Sequence, residues 1–441
     1  MKIAFFTLGC KVNQYETDLM MKSFKDKGYD IIDFEEKADI YVINSCSVTN
    51  LSTRKTRQYL SRAKSKGGIV VLAGCYAQEI NKDEALENVD VIIGNQEKNN
   101  VVETVEKYMA DNDEKEKSKT NIKALYKVSN IGEIKRYIQE DKLVIGREVR
   151  ESIKIQDGCN NFCTYCIIPY VRGRIRSRSI DSIISEVKSL VASGVGEIVL
   201  VGIEIASYGK ELEDSTINLI DVIEEVSKVE GLKRIRLGSI EPRVLTDENI
   251  VRLASIPKLC PHFHISVQSL DNSVLKRMNR HYTREDIFHI VDKIRENFVN
   301  PAFTCDIIVG FPGETEEEFQ NTLDGVNRVD FYEVHAFKYS KRKWTVAAKM
   351  PNQVDGNIAH DRSERLISLA KEHKQKFISN MIGKNEDVLV ESQKGNIAQG
   401  YTSNYVMVKF DSEENVFGKL VNVKLEKIEE DVIIGRVNNL K

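Results

Sequence analysis

Short apolar runs alternate with helical stretches along most of this chain, and no other feature limits its fold as much. Residues 2–8, 40–44, 69–72 and 89–93 are runs of strand length, and residues 14–27, 51–66 and 99–109 carry helical spacing. Such alternation implies a parallel, doubly wound sheet, because a parallel neighbour is reached only through a crossover. It resumes at residue 152 and continues to about 380 through six units. Strands are read at 153–156, 197–201, 234–237, 263–267, 304–309 and 333–338, with helices such as 181–192 and 316–328. Six units are too few for a closed eight-stranded barrel and imply a (β/α)6 partial barrel that binds ligands at its carboxyl edge. Alternation within 262–268 puts His262, His264, Ser266 and Gln268 on one face and Phe263, Ile265 and Val267 on the other. A polar face suits a lumen that holds a polar cofactor; an edge strand with one wet face is the alternative.

After about residue 384 the period changes. Runs at 387–391, 405–410, 419–425 and 432–436 are short and β-branched, with Gly or acidic residues in the turns. They read as a small antiparallel barrel of a kind that often binds RNA. Residues 111–120, DNDEKEKSKT, lack periodicity and read as a linker. The expected organisation is therefore α/β: an N-terminal doubly wound domain (1–110), an irregular linker segment (111–150), a central partial barrel (151–380) and the small barrel (381–441).

The cysteines sit at the corners of this plan. Cys10, Cys46 and Cys75 each lie just past a predicted strand, so the shared carboxyl edge of a parallel sheet brings three distant thiols together. Gly9 and Gly74 precede two of them and permit tight turns. Cys159-x3-Cys163-x2-Cys166 forms a second triad within one loop, after a strand and the turn Gln156-Asp157-Gly158. Three thiolates are one short of a closed tetrahedral site, so a [4Fe–4S] cluster on either triad keeps one iron open. At the second triad that iron could chelate S-adenosylmethionine, whose reductive cleavage yields a radical. A three-cysteine zinc site with a distant fourth ligand is the blander alternative. Cys260 and Cys305 read as ordinary core cysteines.

Composition narrows the setting. Of 441 residues, 41% are hydrophobic and 30% charged, as in globular proteins, and no apolar run approaches the roughly 20 residues that span a bilayer. No signal-peptide cleavage pattern follows the N-terminus and no membrane anchor is read at the C-terminus, so a cytoplasmic protein is expected. In a reducing compartment clustered cysteines are metal ligands or redox groups. A net charge of −3 gives no global attraction to nucleic acid. Local basic stretches do occur, at Arg54–Lys66, at Arg172, Arg174, Arg176 and Arg178, and at Lys338, Lys341, Arg342, Lys343 and Lys349. Two adjoin a cysteine triad, which suggests an anionic substrate.

The segments DGCNNFCTYCIIPYVRGRIRSR, LGCKVNQYE and DIIVGFPGETEEEF resemble the methylthiotransferase family of radical S-adenosylmethionine enzymes across essentially the whole chain. By position, Cys159, Cys163 and Cys166 match the ligands of the radical cluster, and Cys10, Cys46 and Cys75 those of an auxiliary cluster. The resemblance thus implies two [4Fe–4S] clusters and S-adenosylmethionine, with no catalytic side chain beyond the cluster ligands. Tyr165 matches the aromatic near the adenine, and Glu204, Ser239 and Gln268 are the other expected cofactor contacts. The small barrel resembles the family's RNA-binding TRAM domain. The opening Gly9–Glu16 looks like the branch that adds a methylthio group to C2 of N6-threonylcarbamoyladenosine beside the anticodon of tRNA. That implies the tRNA anticodon loop and a reducing electron donor, such as flavodoxin or ferredoxin, as partners, and no membrane. One S-adenosylmethionine would methylate a sulfur on the auxiliary cluster, and a second would generate the radical that removes the C2 hydrogen.

The pattern is not followed everywhere. Leu270-Asp271 stand where Gly-Ser is usual, Trp344-Thr345-Val346 where Gly-Thr-Pro is, and Glu204 where His, Gln or Asn is commoner. Trp344 either stacks on a base or fills an apolar gap. The rival readings are a sister methylthiotransferase acting on isopentenyladenosine in tRNA or on a ribosomal-protein aspartate, and a non-enzymatic RNA-binding protein with structural Fe–S clusters.

Overall fold

The apolar runs near the N-terminus become one parallel sheet in the computed structural model, which describes residues 1–81, 86–118, 124–138, 148–213 and 216–438. In chain order its elements are β1 (Lys2–Thr7), α1 (Lys11–Asp26), β2 (Asp30–Ile32), β3 (Ile40–Ser45), α2 (Asn50–Ser65), β4 (Ile69–Gly74), α3 (Cys75–Glu79), β5 (Val91–Ile93), α4 (Val101–Ser118) and β6 (Leu125–Lys127). The strands lie in the order β2-β1-β3-β4-β5-β6, every pair parallel. Alternate residues bury on opposite faces. Ile40, Val42, Val71 and Ala73 pack with Met20 and Phe24 of α1 and with Val101 and Val105 of α4. Tyr41, Ile43, Val70 and Leu72 pack with Leu60 and Ala63 of α2 and with Tyr76 of α3. The sheet is doubly wound. Because α1 leaves β1 toward one face and α2 leaves β3 toward the other, the crevice between β1 and β3 is a topological switch point.

Three details differ from expectation. β2 and β6 are edge strands of three residues each, too short to show a period in sequence. Helix α4 runs through Ser118, into the stretch read as a linker; Glu and Lys are strong helix formers and need no apolar stripe to continue a helix. Residues 119–123 and 139–147 of that expected segment lie outside the described residues.

The chain divides into two units that interleave along the sequence. The first comprises residues 1–145, 156–178 and 340–348; the second comprises 146–155, 179–339 and 349–441. The segment read as one central domain therefore contributes to both, and the Cys159 loop belongs to the first. In that loop β7 (Arg150–Asp157) ends, α5 (Ile168–Val171) follows, and β8 (Arg176–Ser177) pairs antiparallel with the last two residues of β7.

In the second unit the six expected strands all form. Beside the start of β7 lie β9 (Glu197–Gly202) and β10 (Arg234–Leu237), and then β11 (His262–Gln268), β12 (Ala302–Val309) and β13 (Glu333–Lys338). Parallel ladders join β9–β10, β11–β12 and β12–β13, and two parallel bridges, Ile235 to Leu259 and Ile240 to Ile265, connect the halves. Phe263, Ile265, Val267, Cys305 and Ile307 are buried in the apolar layer beneath the helices, so His262, His264, Ser266 and Gln268 share the opposite, polar face.

The C-terminal barrel is closed in the order β14 (Asn385–Lys394), β15 (Ile397–Tyr401), β16 (Met407–Asp411), β18 (Val432–Val437), β17 (Leu420–Glu429). Sequence reading had missed β15, whose Gly400 weakens the strand signal. Gly is required there because a Cβ would lie 2.0 Å from the Leu389 carbonyl oxygen. Four pairings are antiparallel and β16–β18 is parallel. Five strands cannot alternate direction all the way round a closed ring, so one parallel seam is unavoidable. Buried arginines tie this barrel to the strands of the same unit. Arg236 pairs with Glu197 at 2.6 Å and donates to the Ser403 carbonyl at 3.0 Å, and Arg234 donates to the Tyr401 carbonyl at 2.9 Å.

Candidate functional site

The carboxyl ends of β1, β3 and β4 deliver Cys10, Cys46 and Cys75 to the switch-point crevice of the first unit. Cys10 is the N-cap of α1, and Cys75 opens α3 after Gly74. Gly9 turns the chain at φ +118°, and a Cβ on it would come within 3.0 Å of the Cys46 Cβ. The segment after the second triad packs on the first in this unit: Cys75 clusters with Ile167, the neighbour of Cys166, and with Val171. Asn95 Nδ2 reinforces the contact by donating to the Val171 carbonyl at 2.7 Å.

The donors around these sulfurs suit anionic ligands. Arg172, fully buried, donates from Nε to Cys75 Sγ at 3.2 Å; the Val48 amide approaches Cys46 Sγ at 3.5 Å and the Asn161 amide Cys159 Sγ at 3.4 Å. Burial and the neighbouring Cys75 push the Cys46 thiol well above its usual pKa. Without a metal it would stay protonated, whereas coordination removes the proton. Sulfur donors held apart on separate strand ends, with N–H groups aimed at them, fit an iron–sulfur cluster with one iron open.

Arg172 is held by a network the sequence reading did not identify. It donates to Asn13 Oδ1 at 2.6 Å, pairs with Glu16, and has Asp157 at 3.6 Å; Glu16 also pairs with buried Lys98. The signal was present in LGCKVNQYE, since Asn13 and Glu16 follow Cys10 at intervals of three and share a helical face with it. Of the three basic stretches, the one after the second triad turns mostly inward, whereas Arg54, Lys55, Arg57 and Arg62 of the first and Lys338, Lys341, Lys343 and Lys349 of the third stay exposed. Arg172, Arg176, Arg178 and Arg342 are all buried; of the four arginines after the second triad only Arg174 is exposed. Arg172, Arg176 and Arg342 pair with the carboxylates of Glu16, Asp157 and Glu79, and Arg178 donates to the Tyr15 hydroxyl.

The expected cofactor contacts separate into the two units. Tyr165 is half-buried within the Cys159 loop. In the second unit Glu204 follows β9, Ser239 follows β10 and Gln268 ends β11, so all three lie at the carboxyl edge. Ser239 and Ser266 hydroxyls are 2.5 Å apart, and Gln268 takes φ +66°, which turns the chain out of the strand. Burial, with Glu241 nearby, pushes the Glu204 carboxyl up to about 7. Lower on the polar face, His264, Asp306 and His335 converge from adjacent strands, with His264 Nε2 3.3 Å from Asp306 Oδ2.

Two departures from the family pattern have structural reasons. Leu270 is fully buried against Gly325, and Asp271 caps the helix Asn272–Arg277 by accepting from the Ser273 and Val274 amides at 2.8 and 2.9 Å. Trp344 is 42% exposed, which excludes the gap-filling role.

The radical SAM superfamily pattern matches residues 153–326, and that of the uncharacterized protein family UPF0004 matches residues 2–94. The chain is 41% identical over 434 residues to the threonylcarbamoyladenosine tRNA methylthiotransferase MtaB of Bacillus subtilis (strain 168), covering 96% of this chain and 94% of that protein. It is 37% identical to the Aquifex aeolicus protein of the same name, covering 96% and 100%. It is 36% identical to the tRNA-2-methylthio-N(6)-dimethylallyladenosine synthase of Caldicellulosiruptor saccharolyticus, covering 98% and 91%. Among solved structures, the radical S-adenosylmethionine methyltransferase TsrM of Kitasatospora setae aligns over 76% of this chain and 72% of its own, with a TM-score of 0.53 at 15% identity, a likeness of fold. No helix among the described residues is long and apolar enough to cross a membrane.

Proposed function

We propose, from the premise that this chain belongs to the methylthiotransferase family of radical S-adenosylmethionine enzymes, that it adds a methylthio group to C2 of N6-threonylcarbamoyladenosine in tRNA, beside the anticodon. The observation that carries the reading is the packing of Cys75 on the residue after Cys166, within a chain similar along nearly its whole length to two proteins named for that activity. In this reading Cys159, Cys163 and Cys166 hold the radical cluster and Cys10, Cys46 and Cys75 the auxiliary one. Tyr165, Glu204, Ser239 and Gln268 contact S-adenosylmethionine. When bound, these groups supply a radical able to break an aromatic C–H bond, and a sulfur to replace the hydrogen.

The chain's own residues do the rest. Arg172 and the amides of Val48 and Asn161 orient the sulfur ligands and offset their charge. The Glu204 carboxyl, protonated up to about pH 7, presents a hydrogen-bond donor at the carboxyl edge of the strands. Aliphatic packing of Ile167 and Val171 shields Cys75 from water. The target base is taken out of its stack in the anticodon loop to reach this region. Residues 1–110, 151–380 and 381–441, with 111–150 as connection, act as sulfur-carrying, radical-generating and RNA-binding parts. The setting is the cytoplasm, where a low-potential donor such as flavodoxin or ferredoxin supplies electrons.

Mass spectrometry of tRNA nucleosides from cells lacking the chain tests the substrate. Methylthio-threonylcarbamoyladenosine should vanish while its unmethylthiolated precursor accumulates; persistence at normal levels would refute the assignment. Loss of the methylthio group from isopentenyladenosine instead would select the sister activity.

A further inference from the structure

The segment 340–348 and the Cys159 loop belong to the same unit, and together they present aromatic rings and cations to water. Trp344 and Tyr170 are 42% and 39% exposed, and their ring centroids are 6.2 Å apart; Phe162, the neighbour of Cys163, lies 6.0 Å from Tyr170. Arg174 sits 4.6 Å over the Phe162 ring and Lys343 5.3 Å over the Trp344 ring. The surface is anchored from below. Buried Arg342 donates to Asn50 Oδ1 at 2.6 Å and pairs with Glu79, the Ala347 amide donates to the Thr164 carbonyl at 2.8 Å, and the Thr345 hydroxyl closes on the Arg342 carbonyl at 2.8 Å. Lys341, Lys343, Trp344 and Val346 are left facing outward.

Trp344 holds φ +67°, a left-handed backbone that bulky residues rarely adopt. Gly is the residue such a position favours, so a tryptophan here stands against its local conformational preference. An apolar role would have drawn the ring inward. Instead the chain's single tryptophan stands in water beside Lys343.

We infer that Phe162, Tyr170 and Trp344, with Arg174 and Lys343, form a stacking site for unpaired bases of an RNA loop, on the unit that holds the Cys159 triad. Exposed rings stack on bases of any identity, and the flanking cations meet the phosphates between them. The inference rests on the tRNA reading and adds where the single-stranded loop is gripped.

Anaerobically reconstituted full-length protein is titrated with an anticodon stem–loop RNA by fluorescence anisotropy at fixed salt, and Trp344 emission is followed in the same titration. Wild type should bind with quenching of Trp344. Trp344→Gly, which suits the left-handed backbone, should weaken binding about 5- to 150-fold, the span expected for losing one stacked base. Its melting temperature should be no lower than that of wild type, and Trp344→Phe should recover part of the affinity. Equal affinity of Trp344→Gly and wild type for the loop would overturn the inference while leaving the tRNA reading intact. A wild type that does not bind the RNA at all would overturn both.

Discussion

Among single residues, Arg172 and Glu204 carry the clearest consequences. Arg172 is fully buried with Glu16 and Cys75 as partners, so removing its charge strands a buried carboxylate. Such losses cost about 3–5 kcal/mol, although Lys98 still pairs with Glu16 and favours the lower end. Arg172→Gln should therefore lower the urea midpoint strongly and Arg172→Lys less, because lysine keeps the charge but cannot fork between Asn13 and Glu16. Equal midpoints for the two variants would contradict this. Glu204 has the opposite sign. Its carboxyl keeps a proton to about pH 7 in the folded state, against an ordinary value of 4.5. Between those values the folded state binds more protons than the unfolded, so this residue's contribution to stability falls as pH rises from about 4.5 to 7 and stays lost above. Relative to wild type, Glu204→Gln should gain little at pH 4.5 and up to about 3 kcal/mol at pH 8. Denaturant melts across that range check it; a pH-independent difference would refute it.

For elements, the decisive geometry is in turns that cysteine loops force on the backbone. Gly158 takes φ +74°, and a Cβ there would lie 1.8 Å from the Arg174 carbonyl oxygen, across the hairpin closed by the Cys159 amide on the Gly173 carbonyl. Gly28 takes φ +83° with nothing within 4 Å. Both Ala substitutions cost about 1–2 kcal/mol in backbone strain, but only Gly158→Ala must also part the hairpin. If each triad carries a four-iron cluster, iron bound by Gly158→Ala should drop by about half after reconstitution, the share of one of the two. Gly28→Ala should keep full iron and melt slightly earlier. Element types were legible wherever apolar runs were four residues or longer, since burial on both sheet faces leaves a continuous signal. Strands of three residues at sheet edges, and a charged helix extending past its apolar stripe, leave none. The short strand with Gly400 was hidden because backbone crowding, not side-chain burial, selects its residue.

Over the whole molecule, the two triads occupy one unit although 149 positions separate Cys10 from Cys159. If each triad carries its cluster, wild type should bind about eight irons, and joint replacement of Cys10, Cys46 and Cys75 by Ala should leave about four that are still reduced by dithionite. Residual iron near zero would mean the second triad cannot hold a cluster alone. Net charge is a poor guide at this scale: the chain sums to −3, and several of its clustered arginines neutralise buried carboxylates.

By itself the sequence determined the alternating parallel architecture, the six strands of the central segment, the terminal barrel and the placement of Cys10, Cys46 and Cys75 just past strand ends, because hydrophobic period and residue spacing are local properties. Tertiary structure alone decided that Arg172 reaches Cys75 across 97 residues, that neighbouring arginines turn inward, and that Trp344 turns outward. Those outcomes depend on which groups compete for the same buried space, and a linear chain holds no record of that competition until it closes on itself.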